Sequence, residues 1–278
     1  MKTIAHVSDL HFGRVDPATL EPLQRIIRTL SPDLVVVTGD LTQRARRTQF
    51  LEARDFLASL PQPQIVVPGN HDVPLYRVHE RFLRPLGNYR QYITSDLEPM
   101  YQDEEIAVVG LNTARSLTLK DGRINRTQAR RTHQRFREAG KHLTRIVATH
   151  HPFDLPEGAD QGDIVGRARM VMETLAACGT DLFLAGHLHV SHTGESAVRY
   201  KIEGHAALCI SAGTATSTRG RGEANSFNVI RIERPQLWLQ RYSFSPADRT
   251  FALASEEEFA HTPAAGWKRG KKSVGPAA

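Results

Sequence analysis

Cysteine is nearly absent from this chain. Of 278 residues only Cys178 and Cys209 carry a thiol, in the apolar runs "LAACG" and "ALCIS". A disulfide scaffold is excluded, and two buried thiols in a reducing compartment is the natural reading. Long apolar stretches are missing too: no run approaches the roughly 20 residues that a membrane span needs. The first strand pattern begins at Met1, which leaves no room for a cleaved leader. These absences lead us to expect a cytoplasmic protein without a membrane span. Internal repeats and low-complexity tracts are also lacking. Nor is the charge one-sided, with a formal net value of +6 and a pI near 9.5. The excess is mostly arginine scattered along helical patterns, which reads as a solvated surface rather than a nucleic-acid stripe.

What the chain does have is alternation. Short Val/Ile/Leu-rich runs, "DLVVVT" (33–38), "QIVVP" (64–68), "IAVVGL" (106–111), "TRIVAT" (144–149) and "DLFLA" (181–185), read as strands buried on both faces. Helical patterns separate them. In "DPATLEPLQRIIRTL" Asp16 is placed to cap a helix that opens with Pro17. This is α/β layering. From about Ala197 the runs "AVRYKIE", "AALCISA", "SFNVIRIE" and "QLWLQRYSF" follow without helices, as strands of a second sheet. We expect one domain over residues 1–260, with a helix-and-loop insertion at 73–105 covering the site. Residues 261–278, ending "GWKRGKKSVGPAA", read as a flexible basic tail.

Polar clusters sit at the ends of five of these strands. They are Asp9-Leu10-His11, Gly39-Asp40, Gly69-Asn70-His71-Asp72, His150-His151-Pro152 and Gly186-His187-Leu188-His189. At the end of the first strand pattern, side chains at i and i+2 share a face, so Asp9 and His11 are expected to point to the same side. Alone, that pair is more often a surface contact, and Asp40 in "TGDLT" a helix cap. In an open α/β sheet, however, ligands bind beyond the carboxyl ends of strands, and together these ends deliver Asp, His and Asn to one edge. Imidazole and carboxylate without thiolate suit Mn²⁺, iron or Zn²⁺. Seven such side chains exceed the needs of one catalytic ion; two ions sharing a bridging carboxylate fit better.

In this order the motifs resemble those of the calcineurin-like metallophosphoesterase superfamily, and most of all the bacterial class III cyclic nucleotide phosphodiesterases, over roughly residues 1–245. The resemblance implies a four-layer αββα sandwich, two mixed β-sheets flanked by helices. It implies a first metal on Asp9, His11 and His189, a second on Asn70, His150 and His187, and Asp40 between them. His71 would act as acid or electrostatic stabiliser. Asp72 would orient it or merely form a turn, and His151 would support or pack. The implied activity is hydrolysis of phosphodiesters, 3′,5′-cyclic nucleotides among them, with a DNA-processing nuclease, a nucleotide-sugar or lipid pyrophosphatase and a non-catalytic scaffold as alternatives. Substrates are small phosphodiesters or nucleotides, and the resemblance admits a homodimer. Arg219 and Arg221, in a Gly/Ser/Thr-rich loop, are candidates to clamp an anionic substrate, and His192 to touch it. Arg44, Arg46 and Arg47 and the other histidines read as solvated or structural.

Overall fold

The structure, a computed structural model, describes residues 1–118, 120–219 and 222–274. The first run comprises β1 (Lys2–Val7), α1 (Pro17–Leu30), β2 (Leu34–Thr38), α2 (Arg47–Ser59) and β3 (Gln64–Val67). Two short helices, α3 (Val78–Leu83) and α4 (Gly87–Tyr92), and an edge strand, β4 (Met100–Gln102), lead into the second. That run is β5 (Ile106–Leu111), α5 (Arg126–Ala139), β6 (Thr144–Thr149), α6 (Ala168–Ala176) and β7 (Leu182–Ala185). Then follow β8 (His192–Glu195), α7 (Ser196–Tyr200) and β9 (Leu208–Ser211). Four long strands close the chain: β10 (Ser226–Glu233), β11 (Gln236–Ser245), β12 (Thr250–Thr262) and β13 (Gly266–Val274).

The strands make two mixed sheets, ordered β13-β12-β11-β10-β1-β2-β3 and β4-β5-β6-β7-β9-β8. Period-2 alternation explains why both are buried twice over. Ile4, Leu34 and Val36 meet Ile106, Val108 and Ile146 of the other sheet, with Leu182, Leu184, Ile230 and Phe259 in the same layer. The intervening positions, Val7, Val35 and Val37, face Leu23, Ile27 and Phe50 of the first helix pair. Ala107, Val109 and Val147 likewise meet Phe136, Val171 and Leu175 of α5 and α6. The result is helix, sheet, sheet, helix. Asp16 caps α1 as its position suggested, accepting from the Ala18 N–H at 3.0 Å. No helix among the described residues is long and apolar enough to cross a membrane.

Local structure departs from expectation in three places. The start of "AVRYKIE" belongs to the helix Ser196–Tyr200 instead of a strand, because Tyr200 turns inward to donate to the Phe153 carbonyl and Val198 is left exposed. The strand lies just before it as β8, and β9 joins β7 in parallel within the second sheet, so these segments form no meander with β10. The 73–105 insertion holds two helices and an edge strand where one helix was expected.

The largest correction concerns the tail. Residues 266–274 form β13, paired antiparallel with β12, and the described part of 261–278 is not a loose tail; residues 275–278 lie outside the described residues. The anchor is Trp267. It is fully buried in the layer between the sheets, its backbone N–H donates to Ala206, and its Nε1 donates to Asp181 Oδ1 at 2.9 Å. An aromatic anchor two residues after a turn overrides a Lys- and Gly-rich composition. Trp267→Ala is therefore expected to lower unfolding free energy by about 3–5 kcal/mol, read from the urea midpoint at constant slope. An unchanged midpoint would restore the tail.

Candidate metal centre

The parallel strands β1, β2 and β3 of one sheet and β6 and β7 of the other end at a common edge, and there the chain turns sharply. Asp9, His11, Asp40, His187 and His189 all take left-handed backbone angles, with φ between 50° and 72°. That conformation is uncommon outside glycine, and its clustering at one edge marks a place where strain is tolerated for function. It also amends the strand argument for Asp9 and His11. β1 stops at Val7, and the two side chains converge through two left-handed residues flanking buried Leu10, not through strand alternation. Backbone bonds stitch the loops together: Asp9 N–H to Gly39 O, His11 N–H to Asp40 O, and His187 N–H to Asp9 Oδ2. Glycine is obligatory at two of these contacts. A Cβ on Gly69 would lie 2.1 Å from Asp40 Oδ1, and one on Gly186 1.8 Å from Ser8 Oγ.

Two groups of donors result. In the first, Asp9 Oδ1 is 3.6 Å from both His11 Nε2 and His189 Nε2, which are 3.3 Å from each other. In the second, Asn70 Oδ1, His150 Nε2 and His187 Nδ1 lie 3.0–3.3 Å apart. Asp40 stands between them, with Oδ2 3.6 Å from His11 Nε2 and Oδ1 3.4 Å from His150 Nε2. Ligand atoms about 2.1 Å from a shared ion stand about 3.0–3.4 Å apart, so these spacings fit two ions. Asp9, His11, His189 and the shared Asp40 are all buried, and so are His150 and His187 of the second group.

The electrostatics agree. Burial opposes charge on Asp9, yet His189, His11 and His150 around it outweigh that and hold its carboxyl well below the ordinary range. Asp40 is lowered in the same way, with burial offset by His150, His71 and His11. Among the described residues no Lys or Arg pairs with either acid, and Asp9 Oδ1 has no hydrogen-bond partner. Two buried carboxylates without such an ion pair are a costly arrangement that cations would relieve. His189 by its burial and His150 by its tautomer are set up to supply lone pairs, although at His150 burial is outweighed by Asp40 and Asp9, which raise the imidazole. Burial pushes His189 down to about 4. His150 donates Nδ1–H to the Thr38 carbonyl at 2.8 Å, leaving Nε2 to face the other donors.

His151 offers a nitrogen to the second group by distance alone. Both its ring nitrogens are engaged, however: Nδ1 with the Thr113 hydroxyl at 2.7 Å and Nε2 with the Lys120 carbonyl at 2.7 Å. It packs against the His187 ring and supports the site.

A cavity of about 260 Å³ opens over the donors, walled by Asp40, Asn70, His71, His187 and His189. Arg44, Arg81, Lys120 and Arg219 also line it, which makes it receptive to anions. His71 is held in its wall, with Nδ1 donating to the Gln43 carbonyl at 3.0 Å and Nε2 accepting from Arg219 Nη1 at 2.8 Å. Arg44, expected to be solvated, lies 3.5 Å from His71 Nδ1. Asp72 does not orient His71. Its carboxylate accepts from the Leu41, Thr42 and Gly69 N–H groups and ties two loops together, although burial and nearby Asp40 raise it to about 6. His192 is not brought to the cavity, because β8 turns it toward Asp154, whose Oδ2 it meets at 3.0 Å. Arg221 lies outside the described residues.

Sequence reasoning missed Arg81 and Lys120, which line the cavity, and Asp163 beside it. Asp163, from a single 3-10 turn with no motif, approaches His187 Nε2 to 3.5 Å and Lys120 Nζ to 2.5 Å. His187 hydrogen bonding, aided by Lys120, depresses the Asp163 carboxyl to about 2 against the effect of burial.

Comparison with known proteins agrees with this geometry. The model of the calcineurin-like phosphoesterase family matches residues 2–191. A 76-residue stretch is 38% identical to UDP-2,3-diacylglucosamine pyrophosphatase LpxG of Chlamydia muridarum, covering 26% of this chain and only 23% of that enzyme. The probable cyclic nucleotide phosphodiesterase syc0937_d of Synechococcus is 26% identical over 207 residues, 67% of this chain and 73% of the relative. Among solved structures, a dimetal phosphatase from Danio rerio superposes with a TM-score of 0.63 over 91% of this chain and 98% of its own, at 14% identity. At that identity the likeness is one of fold. Since the family match spans more than half of the 278 residues and takes in all seven converging donors, this chain belongs to the calcineurin-like phosphoesterase family.

Proposed function

We propose that the chain is a metal-dependent hydrolase of phosphodiester bonds. The observation that carries this reading is Asp40, a buried carboxylate with one oxygen toward each of two donor groups at the floor of a cationic cavity. Asp9, His11 and His189 would hold one ion and Asn70, His150 and His187 the other, with Asp40 shared. Nitrogen and oxygen donors without thiolate suit Mn²⁺, iron or Zn²⁺. When bound, such a pair supplies Lewis-acid charge and an acidified water.

The rest falls to the chain's own residues. Arg44, Lys120 and Arg219 draw the phosphodiester anion into the cavity. Burial lowers the basicity of His71, and its Nε2 already accepts from Arg219, so the unliganded imidazole is neutral on that face. An entering phosphate takes over the Arg219 contact. Its charge raises the proton affinity of His71, which gains a proton from solvent and passes it from Nε2 to the leaving oxygen.

Within this class, the Synechococcus relative supports 3′,5′-cyclic nucleotides as substrates. A second reading, a pyrophosphatase for substrates with an apolar portion, gains support from the stretch shared with LpxG and from exposed Tyr76, Val78, Phe82 and Leu83 beside the cavity.

Three measurements test these statements. With Mn²⁺ supplied, bis(p-nitrophenyl) phosphate should turn over faster than p-nitrophenyl phosphate, and Asn70→Ala should lose at least about 100-fold; monoester activity alone would move the chain to the phosphatases. The cyclic AMP rate then decides the narrower reading. His71→Ala should cost about 10²–10⁴ in kcat/KM on cyclic AMP or another diester with a poor leaving group. The loss on bis(p-nitrophenyl) phosphate, whose leaving group needs no proton, should be much smaller; equal losses would replace acid catalysis by charge stabilisation. Asp163→Asn should weaken binding of the second ion about 10- to 100-fold, measured by metal titration, with the first ion unaffected.

A further inference from the structure

Helix α3 is turned inside out. Arg81 is 6% exposed, its Nη1 donating to the Pro74 carbonyl at 3.0 Å and its Nη2 to Thr118, whereas Val78, Phe82 and Leu83 are 60, 52 and 79% exposed. Tyr76, also exposed, lies under the Arg44 guanidinium at 5.8 Å. Leu117, beside the Thr118 that Arg81 holds, is exposed as well. A cluster of large apolar side chains left uncovered beside a polar site marks a binding surface.

Behind this lip lies a groove of about 490 Å³, with an apolar wall of Val73, Leu83, Pro85, Leu86, Leu97 and Ala114. Its volume is that of a small-molecule site. Val73 also lines the cavity over the metal donors, so the two spaces adjoin across a single buried side chain. α3 divides them: Arg81 faces the cavity and Leu83, two residues on, the groove. Arg84, Arg90 and Arg115 also line the groove and leave its apolar wall between cationic groups. An occupant that used both spaces would be an anion at one end and a hydrocarbon along its length.

We propose that the preferred phosphodiester carries an alkyl or acyl chain, seated in the groove against Leu83, Leu86 and Leu97 while its phosphate lies in the metal cavity. The proposal rests on the phosphodiesterase reading above and adds the chemical class of the substrate. A chain of the substrate, rather than a partner protein, is what the geometry favours, because the groove adjoins the reacting phosphate and α3 has only six residues.

The test uses the full-length chain loaded with Mn²⁺ and a series of p-nitrophenyl phosphodiesters whose second ester is methyl, butyl or octyl. Each buried methylene is worth about 0.8 kcal/mol at most, or up to about fourfold, so kcat/KM should rise roughly 10- to 100-fold from butyl to octyl. Leu83→Glu, at an exposed position where folding is not at stake, should flatten that rise and leave the methyl ester unchanged. Binding of octyl phosphate and methyl phosphate, followed by calorimetry, should show the same preference and the same loss. Equal rates for all three esters would overturn the groove and leave the diesterase reading standing. Octyl preference in binding without turnover of any ester would sink the diesterase reading instead. Retention on phosphatidylcholine vesicles with no chain-length preference would give the lip to a membrane surface and overturn the proposal.

Discussion

Two buried carboxylates that, among the described residues, form no ion pair with Lys or Arg govern this molecule. Asp9 is fully buried and Asp40 nearly so, and among the described residues their ion-pair partners are imidazoles. A buried charge without a counter-charge is among the least favourable things a fold can contain. Much of the architecture near the strand ends can be understood as keeping those two groups ionised and in place. Left-handed turns aim them, and glycines at 69 and 186 let the loops close over them. Backbone N–H groups occupy their outer lone pairs: His187 N–H on Asp9 Oδ2 and His71 N–H on Asp40 Oδ1. The oxygens that face the histidines keep lone pairs for cations.

How much of this was legible in the sequence depends on the range of the signal. The buried parallel strands announce themselves in apolar runs of four to six residues, and the polar residues at their ends carry the donors in order. Strand alternation does not account for Asp9 and His11, since β1 ends at Val7 and left-handed turns bring the two side chains together. What escaped is what depends on tertiary contact. Nothing local in "QGDIVG" tells that Asp163 meets His187, and nothing in "GWKRGKKS" tells that one tryptophan will find Asp181, 86 positions away. Composition misled there because a single buried aromatic outweighs several solvated lysines. In the same way, Ser196–Tyr200 obeys the inward turn of Tyr200 rather than the β propensity of its neighbours.

The histidines show how identical side chains are sorted by their other nitrogen. His150 gives its Nδ1 to a backbone carbonyl and turns Nε2 to the donors; His187 does the reverse, with Asp163 beside its Nε2 and Nδ1 turned inward. His151, adjacent to His150, spends both nitrogens on Thr113 and Lys120 and has none left. His71 fixes Nδ1 on Gln43 and keeps Nε2 at the cavity. Chain position alone cannot separate these roles. The hydrogen bond made away from the site decides each one.

The site also binds the two halves of the sandwich to each other. Asp9, His11, Asp40 and Asn70 follow strands of the first sheet, while His150, His187 and His189 follow strands of the second. Each donor group takes members from both sheets: His189 joins Asp9 and His11, and Asn70 joins His150 and His187. Between the sheets the contact is apolar and non-directional, so it sets their separation but only weakly their slide along the strands. The donor spacings of 3.0–3.6 Å demand far finer alignment. That alignment comes from directional bonds across the seam, His150 Nδ1–H to Thr38 and His187 N–H to Asp9, and any cation held in common would draw it tighter. The hydrophobic layer brings the edge together, and the polar edge sets its register.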